Sequence, residues 1–308
     1  MSKEILIFGH KNPDTDSICS AIAYSELKNK TGMKTIPVRL GDLSKETEFI
    51  LDYFKTEAPK LQTNVSGEEI ILVDHNERTQ TADGFEEAKI LELVDHHRIS
   101  NFHTDEPLKV RMEPVGCTST ILYDLYKEAS VVPEKNTAGL MMSAIISDTL
   151  LFKSPTCTQK DIEAAKELSD IAGVELEKYG LEMLIAGTNL DDKTEEELLN
   201  MDMKIFEVDE MKFGVAQVST IDTAKVLLKK ASFEKEIAVL SEKEGLSLFM
   251  FVITDILNNN SVSIISGART DIAEKAFGQK ADNGLLILDG VVSRKKQIIP
   301  PLTKAVQD

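Results

Sequence analysis

The stretch LELVDHHR (residues 91–98) joins a short apolar run to an acidic, imidazole-rich end. Similar ends occur in ILIFGHKNPDTDS (residues 5–17), IILVDHNE (residues 70–77) and SAIISDTLLF (residues 143–152). An α/β sheet presents ligands in this way, at the carboxyl ends of its strands. If these ends converge, they form an oxygen- and nitrogen-rich pocket that suits divalent metals. The pattern therefore predicts a two-metal hydrolase of phosphoesters or phosphoanhydrides.

The length and the net charge of the chain limit the classes of protein to which it can belong. The chain has 308 residues, which favours two domains. Its content of 42% hydrophobic and 28% charged residues is typical of globular proteins. The net charge of −17 lacks the broad basic footprint of a nucleic-acid binder, so we expect no nucleic-acid partner. An anionic substrate would then be neutralised by metals and by the compact basic run Arg294-Lys295-Lys296.

The sequence has no targeting signal that we recognise. The N-terminal MSKEILIFGH has no apolar core of signal-peptide length, and no window approaches the ~18 apolar residues of a membrane span. Cys19, Cys117 and Cys157 are isolated, which argues against a disulfide framework and a zinc–thiolate site. We therefore expect a cytoplasmic protein with no membrane partner.

Strand-like and helix-like segments alternate in the first half of the chain. Strands are predicted at residues 4–8, 35–40, 69–73 and 90–94. One helix is predicted to begin at a cap within residues 14–17 and to end near residue 30, and further helices are predicted at residues 46–54, 116–130, 137–148 and 159–171. This alternation favours βαβ units and a parallel sheet. The acidic segment GTNLDDKTEEELLN (residues 187–200) has no strand signal and is typical of a linker. We therefore predict a first domain at residues 1–187, a linker at 188–200 and a second domain at 201–308.

The second half predicts a smaller α/β domain. Its expected strands are residues 212–218, 236–240, 247–254, 261–265 and 285–288, and its expected helices are residues 220–230 and 270–277.

His10, Asp14 and Asp16 are spaced so that a loop entering a helix can direct all three to one point. The unpaired amides at the helix N-terminus would add positive potential there. A simpler interpretation is that Asp14 and Asp16 only cap the helix. The HxxxDxD pattern directly after a strand favours metal ligation.

The other clusters have simple explanations when each is taken alone. Asp74 could be a turn former, and Asp148 a residue at a helix end. Adjacent histidines seldom serve packing alone, so one of His96 and His97 is expected to bind metal while Asp95 orients its second N–H. The other histidine could donate to a phosphate oxygen or a leaving group. Carboxylates with two imidazoles and no thiolate suit Mn²⁺, Co²⁺ or Mg²⁺ better than structural zinc.

The segment VVSRKKQIIPP (residues 291–301) places three cations after a short apolar turn and before a proline stop. A solvated basic face is the usual explanation of such a run. On an acidic chain it also suits a phosphate clamp, with Arg294 as a bidentate fork and Lys295 as a point charge. Lys204, in NMDMKIF, is a weaker candidate for the same role.

Six segments together resemble the family II (manganese-dependent) inorganic pyrophosphatases of the DHH phosphoesterase superfamily. They are FGHKNPDTDS, VDHNE, DHHR, EPVGCTST, SAIISDTLLFKSPTCT and, most discriminating, VVSRKKQIIP. The resemblance runs nearly end to end. It implies an α/β fold with a parallel-sheet N-terminal DHH domain, a smaller α/β C-terminal domain of the DHHA2 type, and an active site in the cleft between them.

The resemblance also implies a role for each candidate residue. The implied metal ligands are His10 and Asp14 for one ion and Asp16, His96 and Asp148 for the other, with Asp74 bridging the two. The implied substrate-binding residues are His97, Lys204, Arg294 and Lys295. Asp74 and His97 are the implied catalytic residues, and His97 would protonate a departing phosphate.

The implied activity is hydrolysis of inorganic pyrophosphate to two phosphates by in-line attack of a metal-bridging hydroxide. The implied cofactors are two Mn²⁺ ions per subunit, replaceable by Co²⁺, with Mg²⁺ bound to the substrate. Members of the family generally form homodimers through the N-terminal domain. Asp74 and His96 are too close in sequence for the regulatory insertion that some members carry, so nucleotide regulation of that kind is not expected.

Two alternatives stay open on the sequence. A polyphosphate or nucleotide phosphoesterase of the same superfamily would use the same metal site. Nucleotide-cleaving relatives usually carry a GGGH-like loop, which this chain lacks. A metal-binding or phosphate-sensing protein without turnover would keep the ligands and lose hydrolysis.

Overall fold

A parallel sheet organises the first half of the protein. The computed structural model describes residues 4–307, which divide into two compact units, residues 4–187 and 188–307. The predicted domains also include residues 1–3 and 308, which lie outside the described residues. Each unit has its own sheet and its own buried core.

The strands of the first unit are β1 (Ile5–Phe8), β2 (Thr35–Arg39), β3 (Lys60–Leu61), β4 (Glu69–Val73), β5 (Lys89–Asp95) and β6 (Lys109–Met112). The helices are α1 (Thr15–Lys30), α2 (Lys45–Tyr53), α3 (Thr118–Glu128), α4 (Lys135–Thr149), α5 (Gln159–Ala172) and α6 (Leu176–Gly187). Single helical turns lie at Arg78–Gln80 and Phe85–Glu87. The parallel sheet predicted for this half is thus confirmed, while β3, β6 and α6 were not predicted.

The strand order β3-β2-β1-β4-β5-β6 reverses direction between β1 and β4. All five neighbouring pairs are parallel. β1 and β4 are nearly continuous apolar runs because both faces of a parallel sheet are covered. Open α/β sheets bind ligands outside the carboxyl ends of their strands at such a reversal, and both β1 and β4 end there.

The second unit has a mixed sheet. Its strands are β7 (Met203–Val208), β8 (Met211–Thr220), β9 (Leu248–Asp255), β10 (Asn260–Ser266) and β11 (Leu285–Leu288), in the order β11-β10-β9-β8-β7. Its helices are α7 (Glu195–Met201), α8 (Thr223–Leu227), α9 (Lys230–Glu244), α10 (Thr270–Phe277) and α11 (Ile299–Gln307), with a π-helical turn at Arg294–Ile298. β8 and β9 are parallel and the other neighbours antiparallel.

Two local predictions for the second half are wrong. The strand expected at residues 236–240 lies inside α9, whose buried residues Phe233 and Ile237 have the i, i+4 spacing of a helix, while Val239 is exposed. The prolines after the basic run do not end regular structure, as the predicted proline stop implied. Pro300 and Pro301 lie in the first turn of α11, where the missing N–H has no helical partner to lose.

The acidic segment at residues 188–200 is not wholly irregular. It contains most of α7, which begins with a capping box between Thr194 and Glu197. Leu198 and Leu199 are buried in a core cluster of the second unit. Among the described residues, no helix is both long and apolar enough to cross a membrane.

Candidate metal centre

The loop between β1 and α1 carries His10 and Asp14. Gly9 permits its tight path, since a Cβ there would lie 2.4 Å from the Cβ of Ser17. Asp14 caps α1 with Oδ1, which accepts the Ser17 N–H at 3.0 Å. Its Oδ2 lies 3.4 Å from Nε2 of His10. The capping interpretation is therefore correct for one oxygen of Asp14, while the second oxygen is directed to His10.

Asp16 is fully buried and does not cap its own helix. It accepts the backbone N–H groups of Thr118 and Ser119 at 2.7 and 3.2 Å. The hydroxyls of Ser20 and Ser119 also donate to it, at 2.7 and 3.0 Å. Thr118 and Ser119 are the first residues of α3, so the carboxylate lies at the positive end of that helix. A buried charge is stabilised here by donors from an element about 100 residues further along the chain.

Asp74 follows β4, is buried, and lies near both His10 and His96. Its Oδ2 accepts the Ser17 hydroxyl at 2.7 Å and lies 3.5 Å from Nε2 of His10. Its Oδ1 lies 3.5 Å from Nε2 of His96. Its backbone is left-handed, with φ of 58°, a strained conformation for a non-glycine residue. The two oxygens of one carboxylate therefore face two separate imidazoles.

His96 follows β5 and is oriented by the backbone. Its Nδ1 lies 3.0 Å from the carbonyl oxygen of Val115, which assigns the N–H to Nδ1 and the lone pair to Nε2. Nε2 faces Asp74 and lies 3.9 Å from Oδ2 of Asp148. An imidazole held in this way is suited to bind a metal through Nε2.

Asp95 contacts His97 and not His96. Nδ1 of His97 lies 2.9 Å from Oδ1 of Asp95, and the other oxygen of Asp95 accepts from the side-chain amide of Asn76 at 2.6 Å. This hydrogen bond to Asp95 raises the pKa of His97, which favours its protonated form. Because His97 is also exposed, it can contact a ligand in solution.

Asp148 lies near the end of α4, and an unexpected left-handed turn follows it. Leu150, Leu151 and Phe152 have φ of 48°, 52° and 67°, which turns the chain sharply away from the helix. Oxygens of Asp16 and Asp148 lie within 4.8 Å of Sγ of Cys117. In the sequence Cys117 is an isolated cysteine, and its spacing from Asp16 and Asp148 gives no sign of this proximity.

The carboxylates repel one another strongly. Burial raises the pKa of Asp74 well above its usual value, and the charges of Asp16 and Asp14 raise it further. Burial and the charges of Asp16 and Asp74 have the same effect on the pKa of Asp148. A bound divalent cation would remove this cost because it favours the ionised form of each carboxylate.

The donor set fits divalent metal ions. Within residues 4–307, three groups of side chains each bring their ligand atoms within 4.8 Å of one another: His10 with Asp14 and Asp74, Asp74 with His96 and His97, and Asp16 with Cys117 and Asp148. Two ligands that are each ~2.1 Å from one ion are roughly 3 to 3.5 Å apart. The separations of 3.4 and 3.5 Å from His10 to Asp14 and Asp74 have that spacing.

His75 belongs to none of these groups. It is buried, its Nδ1 lies 2.9 Å from the carbonyl oxygen of Val73, and burial lowers its pKa to about 4. His75 is therefore a neutral core histidine.

The second unit holds three of the four predicted substrate-binding residues, Lys204, Arg294 and Lys295. The Arg294 guanidinium donates to Asp202, through Nη2 to Oδ1 at 2.7 Å and through Nη1 to the backbone carbonyl. Asp202 directly precedes β7, on which Lys204 lies exposed. Lys295 is exposed on the π-helical turn next to Arg294. The contact with Asp202 therefore brings the basic run next to the strand of Lys204, and sequence reasoning missed this carboxylate.

Several groups that position the candidate ligands were not predicted from the sequence. Ser17, Thr118 and Ser119 donate to the buried carboxylates, and Val115 orients His96. The segment EPVGCTST, at residues 113–120, contains most of them. Its run of small hydroxyl residues at a helix start was the available signal, but nothing in the pattern identifies the carboxylates that they contact.

Two family descriptions match the chain. The DHH family, N-terminal domain, matches residues 4–145, and the DHHA2 domain matches residues 181–305. A Bacteroides fragilis exopolyphosphatase-related structure is 13% identical with a TM-score of 0.51 over 99% of this chain and 92% of its own, which shows likeness of fold alone.

Nearer relatives cover almost the whole length. Proteins of Bacillus anthracis and Bacillus cereus, each named "Probable manganese-dependent inorganic pyrophosphatase", are 55% identical over 99% of this chain and 99% of their own. The crystal structure of a Methanococcus jannaschii "putative family II inorganic pyrophosphatase" is 40% identical, with a TM-score of 0.63 over 98% of this chain and 99% of its own. This chain therefore belongs to the family II, manganese-dependent inorganic pyrophosphatases, with a DHH and a DHHA2 domain.

Proposed function

We propose that this protein hydrolyses inorganic pyrophosphate to two phosphates in a manganese-dependent reaction. The observation that carries the proposal is Asp74, whose two oxygens lie 3.5 Å from Nε2 of His10 and of His96 respectively. This arrangement suits a carboxylate shared between two ions. The names of the long, 55% identical relatives support the metal and the substrate.

The metal ligands we propose are those that the family resemblance implies. They are His10 and Asp14 for one ion, Asp16, His96 and Asp148 for the other, and Asp74 for both. Bound divalent ions would supply a nucleophile at neutral pH and polarise the phosphoryl oxygens. We propose two Mn²⁺ per subunit, replaceable by Co²⁺, and Mg²⁺ entering with the substrate.

The protein's own groups would bind the anion and supply a proton. His97, whose pKa is raised by Asp95, can hold a proton on Nε2 and donate it to the departing phosphate. Lys204, Arg294 and Lys295 would bind the phosphate oxygens, since an anionic substrate needs local positive charge on an acidic chain. Arg294 keeps N–H donors beyond the two that contact Asp202.

We also propose a cytoplasmic homodimer that pairs through the first unit. β6 lies at the end of its sheet, and Val110 on that strand is 48% exposed. An unpaired edge with an exposed apolar residue is suited to pairing with a second copy. A Val110→Lys variant should then be a monomer by light scattering, while a wild type that is itself monomeric would contradict the dimer.

The function is tested with chelator-stripped protein to which Mn²⁺, Co²⁺, Mg²⁺ or Zn²⁺ is returned. Phosphate release is measured from pyrophosphate, tripolyphosphate, phosphoadenosine phosphate and short oligonucleotides. Restoration of pyrophosphate cleavage by Mn²⁺ or Co²⁺ is the expected result. Cleavage of only the other substrates would overturn the substrate assignment, and metal binding without any turnover would indicate a sensor.

A further inference from the structure

Asp161 is a buried carboxylate that the proposed reaction does not use. It lies in the first turn of α5 and is fully inaccessible to solvent. It accepts hydrogen bonds from the backbone N–H and hydroxyl of Thr158, at 2.7 and 2.6 Å. The bond from the Thr158 N–H and a bond from the Asp161 N–H to the Thr158 hydroxyl oxygen, at 3.4 Å, form an ordinary capping box, which would explain an acidic residue here but not its burial.

Two further donors to Asp161 come from a distant segment. The backbone N–H of Gly116 donates to Oδ2 at 2.9 Å, and the hydroxyl of Thr120 donates to Oδ1 at 2.6 Å. Gly116 and Thr120 lie on either side of residues 117–119. The carboxylate therefore connects the start of α5 to both ends of the turn that opens α3.

The segment at residues 115–120, which Asp161 connects to α5, orients the proposed ligands of one ion. The Val115 carbonyl accepts from Nδ1 of His96, and the N–H groups of Thr118 and Ser119 donate to Asp16.

The same segment also packs closely against the end of α4. A Cβ on Gly116 would lie 2.8 Å from Cγ2 of Thr149, which directly follows Asp148. His96, Asp16 and Asp148 are thus each supported by this segment or adjacent to it. His10 and Asp14 have no described hydrogen bond to it.

We infer that Asp161 is a positioning residue for one of the two ions, the one assigned to Asp16, His96 and Asp148. Asp161 belongs to none of the three candidate ligand groups, so it acts only through the segment at residues 115–120. The inference rests on the proposed function because it presupposes the two-ion site.

The test is the Asp161→Asn variant, which keeps the size of the side chain but cannot accept from both Gly116 and Thr120. Chelator-stripped protein is titrated with Mn²⁺, and free Mn²⁺ is followed by electron paramagnetic resonance. We expect one of two binding steps to weaken by ~10–100-fold, as for other groups that orient a metal ligand, while the second step stays unchanged.

Two variants separate this role from simple stability. Thr120→Val removes a bond to the segment and leaves the α5 capping box intact, so it should weaken the same step. Thr158→Ala removes both bonds between the Thr158 hydroxyl and Asp161 and leaves the bonds from Gly116 and Thr120 to Asp161 in place, so it should lower the melting temperature without changing either binding step. Glu197→Ala disrupts the matching capping box of α7, in the unit that holds none of the proposed metal ligands, and should behave like Thr158→Ala.

Two results would overturn the role of Asp161, and a third would count against the proposed function. Unchanged Mn²⁺ binding in Thr120→Val would overturn the inference. This variant provides the test if Asp161→Asn does not fold. Equal weakening of both steps, in proportion to lost stability, would overturn it too. Failure of the wild type to bind two Mn²⁺ or to cleave pyrophosphate would instead count against the proposed function.

Discussion

Asp74 shows how a single side chain can join two ligand groups. It is buried, its backbone is strained, and its two oxygens lie 3.5 Å from Nε2 of His10 and of His96. Burial and the neighbouring carboxylates raise its pKa, so its ionised form is unfavourable unless a cation binds. Strain and charge repulsion at one residue are typical of a functional site.

Removal of the Asp74 carboxylate should abolish activity. We expect Asp74→Ala to lower kcat by at least ~10²–10³-fold, as when a group that stabilises the transition state is lost. Mn²⁺ affinity should fall by at least about 100-fold, because groups that only orient a ligand already contribute ~10–100-fold. Calorimetric Mn²⁺ titration and phosphate release measure both, with exposed Asp83→Asn as the control. Full activity in Asp74→Ala would exclude a shared carboxylate.

Lys295 should affect the substrate and not the metal. We expect Lys295→Ala to raise the KM for pyrophosphate by ~10–100-fold, which corresponds to the ~1.5–3 kcal/mol of a charge-assisted hydrogen bond. Mn²⁺ affinity should stay at the wild-type value. The exposed Lys235→Ala on α9 is the control for a lost surface charge. An unchanged KM would show that the basic run is only a solvated face.

The ends of elements bring the site together. β1, β4 and β5 all end at one edge of the parallel sheet, and α4 adds Asp148 from the helical layer. α4 packs closely because of its small residues. A Cβ on Gly139 would lie 2.1 Å from the ring of Phe54, which follows α2. The position of α4, and so of Asp148, depends on this close contact.

Gly139→Ala should therefore destabilise the protein despite the better helix propensity of alanine. Overpacking costs about 1–3 kcal/mol, and the propensity gain offsets up to ~1 kcal/mol of it. Urea denaturation of the variant, alone and combined with Phe54→Leu, measures the coupling. We expect the smaller side chain at residue 54 to reduce the cost of Gly139→Ala. An equal cost in both backgrounds would contradict the contact.

For the whole molecule, metal binding and stability should be linked. A ligand that binds only the folded state stabilises it by about 2.7 kcal/mol per site at 100-fold over its Kd. We expect Mn²⁺ to raise the melting temperature by roughly 5 °C or more, because it relieves repulsion among Asp14, Asp16, Asp74 and Asp148. Thermal denaturation in NaCl of equal ionic strength is the control. A Mn²⁺ shift no larger than that of NaCl would contradict a folded-state metal site.

The sequence by itself determined the fold class and the candidate ligands. Alternation of apolar strands with helices predicted the parallel sheet, and β4 matches the predicted residues 69–73. The secondary structure of short apolar runs is harder to predict, because hydrophobic periodicity alone does not distinguish a buried strand from a buried helix. That ambiguity produced the wrong strand at residues 236–240.

Only the tertiary structure decided the contacts between distant segments. Local pattern suggested that Asp95 orients one histidine, but only the fold shows that it is His97 and that a carbonyl from residue 115 orients His96. The contacts of Asp161 with Gly116 and of Arg294 with Asp202 span 45 and 92 residues. Sequence patterns report the period and the ends of elements, whereas hydrogen bonds between elements depend on how those elements pack.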